Sequence, residues 1–244
     1  MEKGLILKVK NMNDNKEKYM KRIVVLTGAG MSAESGISTF RDSGGLWEKH
    51  SVEEVCTPEG YARNPKLVLD FYNNLRRDLE RAKPNKGHVL LKEMEKDYDV
   101  RIVTQNVDNL HERAGSTNVI HLHGELTKVC NDSKTIVEDI GYSPINIGDE
   151  IGGTQARPFI VWFNESVPML DDAIEITKTA DVFVVIGTSL NVYPAAGLLN
   201  YVPKDSPIYL IDPKPVDAYR EVTYIQKKAT DGVQELMDIL KNKE

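Results

Sequence analysis

The sequence predicts an α/β fold: a parallel sheet with helices on both faces, plus a small lobe made from two insertions. Three observations predict it. Short runs rich in β-branched residues recur at Arg22–Thr27, Arg101–Thr104, Phe159–Phe163, Val182–Ile186 and Ile208–Ile211, as buried strands do. Helical patterns separate several of these runs, and strands alternating with helices indicate a parallel sheet covered on both faces. The first run leads into Gly28-Ala29-Gly30-Met31-Ser32-Ala33, a G-x-G-x-x-A turn that makes the sheet Rossmann-like.

Size and charge set the outer bounds. The chain has 244 residues, 41% of them hydrophobic, enough for one core with a small lobe and too few for two full domains with linkers. Lys and Arg number 31 against 37 Asp and Glu, a net charge of -6, so the basic footprint of a general nucleic-acid binder is missing. No apolar run approaches the roughly 20 residues of a membrane span, and the N-terminus carries no apolar signal segment. Two cysteines exclude a disulfide framework and a four-thiolate zinc site within one chain. The expectation is a cytoplasmic, reducing compartment, with neither nucleic acid nor membrane as partner.

Residues 1–20 are polar and lysine-rich, and are expected to form an extension ahead of a single domain over 21–244. After the first strand the helical patterns cover Pro65–Ala82, Asn85–Lys96, Leu170–Ala180 and Asp231–Lys241. Two stretches break the alternation. Residues 46–84 are largely helical without a strand run, and 128–154 are irregular with scattered Ile136, Ile140, Ile145, Ile147 and Ile151. These are the two insertions expected to form the small lobe, beside a large lobe of 21–45, 85–127 and 155–244.

Gly28 and Gly30 permit a tight turn and close approach of a pyrophosphate. The small Ala33 lets a helix pack on the strand, with its N-terminal amides facing the phosphates. The competing reading is an ordinary glycine turn. A dehydrogenase would place an acidic residue about 20 residues later, at the end of a second strand. That region reads Lys49-His50-Ser51, inside the helical insertion. Hydride transfer fits badly, whereas a nucleotide fits. Further on, Arg41 could pair with a phosphate or ribose and Phe40 could cover a ring; a surface salt bridge and a core position are the alternatives.

The run Arg101–Thr104 leads straight into Gln105-Asn106-Val107-Asp108. Ligands of open α/β sheets sit outside the carboxyl ends of the strands, so three hydrogen-bonding side chains there mark a candidate site. Asp108 could equally cap a helix carrying His111 and Arg113. In Val119–Gly124, alternation puts His121 and His123 on one face. A metal pair lacks further ligands of convincing spacing. A satisfied structural histidine is the ordinary reading, but the place of His123 just before a glycine favours a general base.

GAGMSAESGISTFR, TQNVDNLHERAG, HLHGEL, VWFNESVP and GTSLNVYPAAGL follow one another in this order. The series resembles the sirtuin family of NAD-dependent protein deacylases, in a bacterial form closest to the class III pattern, from about Lys21 to Leu240. The resemblance implies NAD as cofactor and an acyl-lysine protein or peptide as substrate. The acyl group would pass to ADP-ribose, with release of nicotinamide. It implies cofactor contacts at Gly28, Ala29, Gly30 and Ser32, then Phe40 and Arg41 by the nicotinamide and its ribose. Gln105, Asn106 and Asp108 form the next set, Asn106 organising the ribose and a water and Asp108 recognising the carboxamide. Gly187, Thr188 and Ser189, with Asp212 and Thr230, complete the cofactor side. His123 would be the general base, a task suited to an ordinary pKa near 6.5. Tyr72, Val161, Trp162, Phe163 and Val192 would contact the substrate, with 161–165 and 190–193 as strands clasping an extended peptide.

Departures from the family pattern carry further expectations. Most sirtuins hold the small lobe with two C-x-x-C pairs. Here the first reads Cys130-Asn131-Asp132-Ser133 and the second is absent before Arg157, so no metal site is expected and the lobe should pack through its isoleucines. Asn164 replaces a glycine and tolerates left-handed angles. Asp212 replaces an asparagine; it can accept from a ribose hydroxyl but cannot donate. The subclass that removes succinyl groups carries Y-x-x-R on a helix. Tyr72 matches, Leu75 takes the arginine's place, and Arg76 lies about 100° further round the helix. Acetyl or longer neutral acyl groups are therefore the expected preference. The alternative class of function is an NAD glycohydrolase, an ADP-ribosyltransferase or a nucleotide-binding sensor without deacylase activity.

Overall fold

The apolar run RIVVLT forms β1 (Arg22–Thr27), in the interior of a six-stranded sheet. The structure, a computed structural model, describes residues 20–38 and 50–243, so the expected extension lies outside the described residues except for Met20. After β1 the described residues form α1 (Val52–Val55), α2 (Pro58–Arg63), α3 (Pro65–Arg81) and α4 (Lys86–Met94). Then come β2 (Asp99–Thr104), α5 (Leu110–Arg113) and β3 (Val119–His121). Next are β4 (Gly124–Cys130), β5 (Val137–Asp139), the hairpin β6 (Glu150–Ile151) and β7 (Thr154–Gln155), and β8 (Arg157–Ile160). The chain closes with α6 (Leu170–Thr177), β9 (Val182–Ile186), β10 (Ile208–Ile211), β11 (Thr223–Ile225) and α7 (Ala229–Lys241). Thr57 and Asn64 cap α2 and α3 through their side-chain oxygens, each followed by a proline in the first turn.

The strand order is β11-β10-β9-β1-β2-β3, and every neighbouring pair is parallel. Strands β1 to β3 build outward in one direction and β9 to β11 in the other, so the order reverses between β1 and β9. Such a reversal opens a crevice at the carboxyl ends, where ligands of this architecture bind. Both faces are covered, as strands apolar on both sides require. Ile23, Val25, Val184 and Ile211 pack with Leu91 of α4 and Leu236 of α7. Val24, Leu26, Phe183 and Leu210 pack with Ala173 of α6 and with Leu198 and Leu199 of a 3₁₀ segment, Ala195–Tyr201.

Two expectations are corrected. The run expected as Phe159–Phe163 is a strand only as far as Ile160, and it pairs antiparallel with β4 in a separate sheet of order β5-β4-β8. The close approach is made at Gly124, φ +81, where a Cβ would lie 2.1 Å from Phe159 O. The helix expected after the glycine turn is instead two 3₁₀ turns, Ala29–Met31 and Ala33–Ser35, ended by Gly36 in the left-handed region. The small sheet packs beneath α3, where Leu69 meets Val129, Ile145, Ile151 and Ala156, with Ile140 at the margin. Ile136 and Ile147 are exposed, so only part of the expected isoleucine packing is realised.

Candidate active site

The loops leaving β1 and β9 interlock at the strand reversal. Gly28 N–H donates to Ile186 O at 3.0 Å and Gly30 N–H to Gly187 O at 2.9 Å. A Cβ on Gly30 would fall 2.6 Å from Gly187 Cα, and one on Gly187, φ +62, would fall 2.4 Å from Met31 N. At Gly28 it would meet Thr188 Cβ at 2.7 Å. The glycines therefore serve first to let two loops touch backbone to backbone, and half-buried Ala29 lies between them in sequence.

At the end of β2, Asn106 is fastened from several directions. Its Nδ2 donates to Gly28 O at 3.0 Å and to Ser32 Oγ at 3.2 Å, and its backbone N–H donates to Thr104 Oγ1 at 3.0 Å. No hydrogen bond among the described residues uses Asn106 Oδ1. The Ser32 hydroxyl, fully buried, donates to Asp108 Oδ2 at 2.8 Å, while Asp108 Oδ1 accepts from Leu110 N–H at 3.0 Å. Asp108 thus does help to cap α5 while facing the Asn106 cluster. Burial raises its pKa, opposed by these two donors. Gln105 Nε2 donates to Thr188 Oγ1 at 3.1 Å and ties β2 to the β9 loop.

The two histidines separate cleanly. His121 uses both ring nitrogens: Nδ1 donates to Asn106 O at 3.0 Å, and Nε2 pairs with Glu112 Oε1 at 2.8 Å. Burial would lower its pKa, but the Glu112 carboxylate outweighs this and raises it. His123 donates Nδ1–H to Gln105 O at 3.0 Å, which leaves the Nε2 lone pair, with no partner among the described residues, able to accept a proton. Burial lowers its pKa, so the ring is neutral at pH 7.

The segment after β8 is moored at both ends, by Val161 N–H to His123 O at 2.9 Å and by Phe163 N–H to Cys56 O at 2.9 Å. Trp162 points inward, and its Nε1 donates to the buried Tyr72 hydroxyl at 2.9 Å, which also contacts Cys56 Sγ at 3.3 Å. Burial pushes the Cys56 thiol up to about 11. Val161 is half-buried and Phe163 is 49% exposed. The strands expected over 161–165 and 190–193 are turns and irregular backbone instead. Asn164, φ 70, and Leu190, φ 55, sit in the left-handed region and interrupt any ladder. Asn164 does adopt the angle that its glycine substitution called for. Val192 is half-buried and Ser189 exposed. Asp212 Oδ1 accepts from Lys214 N–H at 2.9 Å at the end of β10. The Thr230 hydroxyl and N–H are both held by Glu34, at 2.9 and 3.1 Å, so this residue ties α7 to the loop after β1. Phe40 and Arg41 lie outside the described residues.

The sequence reading missed the ion network beneath this segment. Arg157 is buried, with its guanidinium 3.5 Å from the Trp162 ring centre and 3.1 Å from Glu165 Oε1. Glu165 Oε2 also accepts from Lys134 Nζ at 2.6 Å and from Trp162 N–H at 2.7 Å. The only signal was a charged residue next to an apolar strand. Nearby, in place of a thiolate knuckle, Asn131 Nδ2 donates to Ser133 Oγ and Thr135 Oγ1, each at 3.0 Å, and Cys130 is a buried free thiol.

The profile of the Sir2 family matches residues 28–194. An NAD-dependent protein deacylase of Bacteroides thetaiotaomicron is 57% identical over 236 residues, 91% of this chain and 98% of its own length. One from Helicobacter pylori is 50% identical over 221 residues, covering 89% and 96%. Among solved structures, a mutant Sir2 homologue in complex with ADP-ribose gives a TM-score of 0.85 at 38% identity, covering 91% of this chain and 93% of that one. A Sir2 homologue–NAD complex gives 0.82 at 38% identity, covering 91% and 90%. The matched region runs from the glycine turn through Asn106 and His123 to the loop after β9, and on that extent and identity the chain belongs to the Sir2 family.

Proposed function

We propose that the chain is an NAD-dependent protein lysine deacylase, moving the acyl group of an acyl-lysine side chain to ADP-ribose with release of nicotinamide. The observation that carries this reading is the His123 ring, fixed by Gln105 O with Nε2 left as an acceptor. The residues present fit NAD. The Gly28, Gly30 and Gly187 backbones meet with no Cβ between them, which leaves backbone where a pyrophosphate would approach, and Asn106 Oδ1 is an acceptor uncommitted among the described residues, near the buried Asp108 carboxyl. NAD, when bound, supplies a ribose bearing nicotinamide as leaving group. Asn106 and Asp108 orient that end, and His123 Nε2 takes the proton of a ribose hydroxyl; its lowered pKa keeps it in the base form at neutral pH. Trp162 and Phe163 flank the acyl-lysine, and the Tyr72–Trp162 bond fixes the wall behind them.

In the same reading the small lobe needs no structural metal, since the Lys134–Glu165–Arg157 network and the Asn131 turn join the segments that thiolates would join. A cytoplasmic site of action fits the two free thiols. The acyl group is neutral. Leu75 borders the cluster containing Tyr72, while the fully buried Arg76 is committed through its Nε, donating to Leu126 O at 2.7 Å, and its Nη1, donating to Asn73 Oδ1 at 2.6 Å, with Nη2 unpartnered among the described residues.

Incubation with NAD and an acetyl-lysine peptide tests the activity. Nicotinamide release should require the peptide, and His123→Ala should lower turnover about 10²–10⁴-fold while NAD still binds. Release without peptide would favour a glycohydrolase, and near-parental turnover in the variant would remove His123 from the role. A higher kcat/KM on succinyl than on acetyl peptides would overturn the acyl assignment.

A further inference from the structure

Under the Asn106 cluster lies a pair of imidazoles that the proposed chemistry does not use. His88 of α4 and His111 of α5 are both fully buried, with ring centroids 4.8 Å apart in an edge-on arrangement of 61°. Their titratable neighbours are His121 and Glu112. The hydrogen bonds around them settle their tautomers. Asn85 N–H donates to His88 Nδ1 at 3.3 Å, so Nδ1 holds the lone pair and Nε2 the hydrogen. The Thr27 hydroxyl donates to Thr104 Oγ1 at 2.8 Å. The hydrogen in the 3.2 Å contact between His111 Nε2 and Thr27 Oγ1 therefore comes from the imidazole, which leaves the lone pair on His111 Nδ1. His88 Nε2 is then a buried donor, and His111 Nδ1 a buried acceptor on the adjacent ring. Neither atom has a partner among the described residues.

We propose that these two atoms bond to one another, closing a single buried chain that runs from Asn85 through His88, His111 and Thr27 to Thr104, and that this chain positions Asn106. Three arguments support it. Leaving a buried donor and a buried acceptor both unpaired is costly, and one bond satisfies both. The closing movement is a rotation about the imidazole χ2, a broad and soft torsion. The chain also ends where position counts, because Thr104 Oγ1 accepts from Asn106 N–H at 3.0 Å while His121 holds the carbonyl of the same residue. An apolar filling of this space would pack as well, but it would leave the Thr27 and Thr104 hydroxyls, and through them the Asn106 N–H, without a hydrogen-bonded link to α4 and α5. His88 and His111 are positioning residues in the deacylase reading, which this inference rests on.

Two measurements test it on the full chain. Nitrogen-15 histidine spectra should show both rings neutral and in the Nε2–H form from pH 8 to about 5.5. An Nδ1–H form in either ring, or protonation with an ordinary midpoint near 6.5, would overturn the chain whether or not the protein deacylates. Thr27→Val removes the link at near-constant volume. It should lower kcat about five- to tenfold with the acyl-peptide KM unchanged, as loss of one positioning hydrogen bond does, and Thr27→Ser should restore kcat. A Thr27→Val protein with kcat within about twofold of the parent would refute the positioning role, however much its melting temperature fell. If the parent itself shows no peptide-dependent nicotinamide release, the functional reading fails and the spectra alone judge the chain.

Discussion

Glu165→Ala is the sharpest test of how the small lobe is held. Glu165 takes three donors, from Lys134, Arg157 and the Trp162 backbone, with its side chain 16% exposed and that of Arg157 5% exposed. Truncation leaves Arg157 buried with a carbonyl at 3.4 Å, an aromatic face and an Nε that has no partner among the described residues. Stranding one member of a buried pair costs about 3–5 kcal/mol. For a chain of this size each kcal/mol moves Tm by about 2–4 °C, so the expected fall is about 6–20 °C. Lys134→Ala, which leaves the Arg157–Glu165 contact in place, should cost about 1 kcal/mol. Burial alone would raise the Glu165 carboxyl, but Lys134, the Trp162 N–H and Arg157 outweigh it and hold the pKa below its ordinary 4.5. A lowered carboxyl contributes stability above its unfolded pKa and loses it as pH falls through its folded pKa. The parent's advantage over Glu165→Ala should accordingly shrink below about pH 4.5. Thermal unfolding at pH 7 and pH 4 reads both effects. A loss under about 2 °C at pH 7 would show that the network is incidental and that the apolar cluster around Ile145 and Ile151 holds the lobe.

Gly30→Ala places a Cβ 2.6 Å from Gly187 Cα, where only backbone could yield, so it should cost about 1–3 kcal/mol and weaken NAD binding; calorimetry finding parental affinity would contradict the interlock. Burial lowers the pKa of His88 to about 4 and lowers those of His111 and His123, whereas His121 is raised. Each lowered histidine stays neutral in the fold while the unfolded chain protonates, so stability should fall below pH 6.5, for His88 by up to about 1.4 kcal/mol per pH unit down to about pH 4, with His111 and His123 adding in the same direction; His121, protonated in both states below pH 6.5, offsets none of this there. Urea unfolding at pH 7 and 5 that gave equal stability would refute this. Elemental analysis of the purified chain should find no stoichiometric zinc, since no group of three or more His, Cys, Asp and Glu converges among the described residues; about one zinc per chain would refute it.

Much of the main sheet was legible because its strands are buried on both faces and so read as unbroken apolar runs. β8 was legible as a run but not as a member of another sheet, because periodicity carries no information about the partner strand. The glycine turn named its location yet misled about the helix, since the left-handed Gly36 that ends it is one glycine among many in sequence. His121 and His123 look alike in sequence, and alternation would put them on one strand face; in the structure β3 ends at His121 and His123 falls in the turn before β4, and Glu112, from α5, takes the second nitrogen of His121 alone. Thr27 and Thr104 are ordinary strand ends until the β1–β2 register sets them side by side.

β1 lies between β2 and β9, and the interlock of Gly30 with Gly187 needs both loops. During synthesis, β2 can pair with β1 once Thr104 has emerged, but β9 begins only at Val182. At about 5–20 residues per second the other edge of β1 then waits about 4–16 s for its partner. That edge is an apolar strand with unpaired amides, a template for any passing extended segment. The nascent chain is thus most vulnerable to mispairing before the crevice that binds its cofactor exists, and NAD, which stabilises only the finished site, arrives too late to protect it.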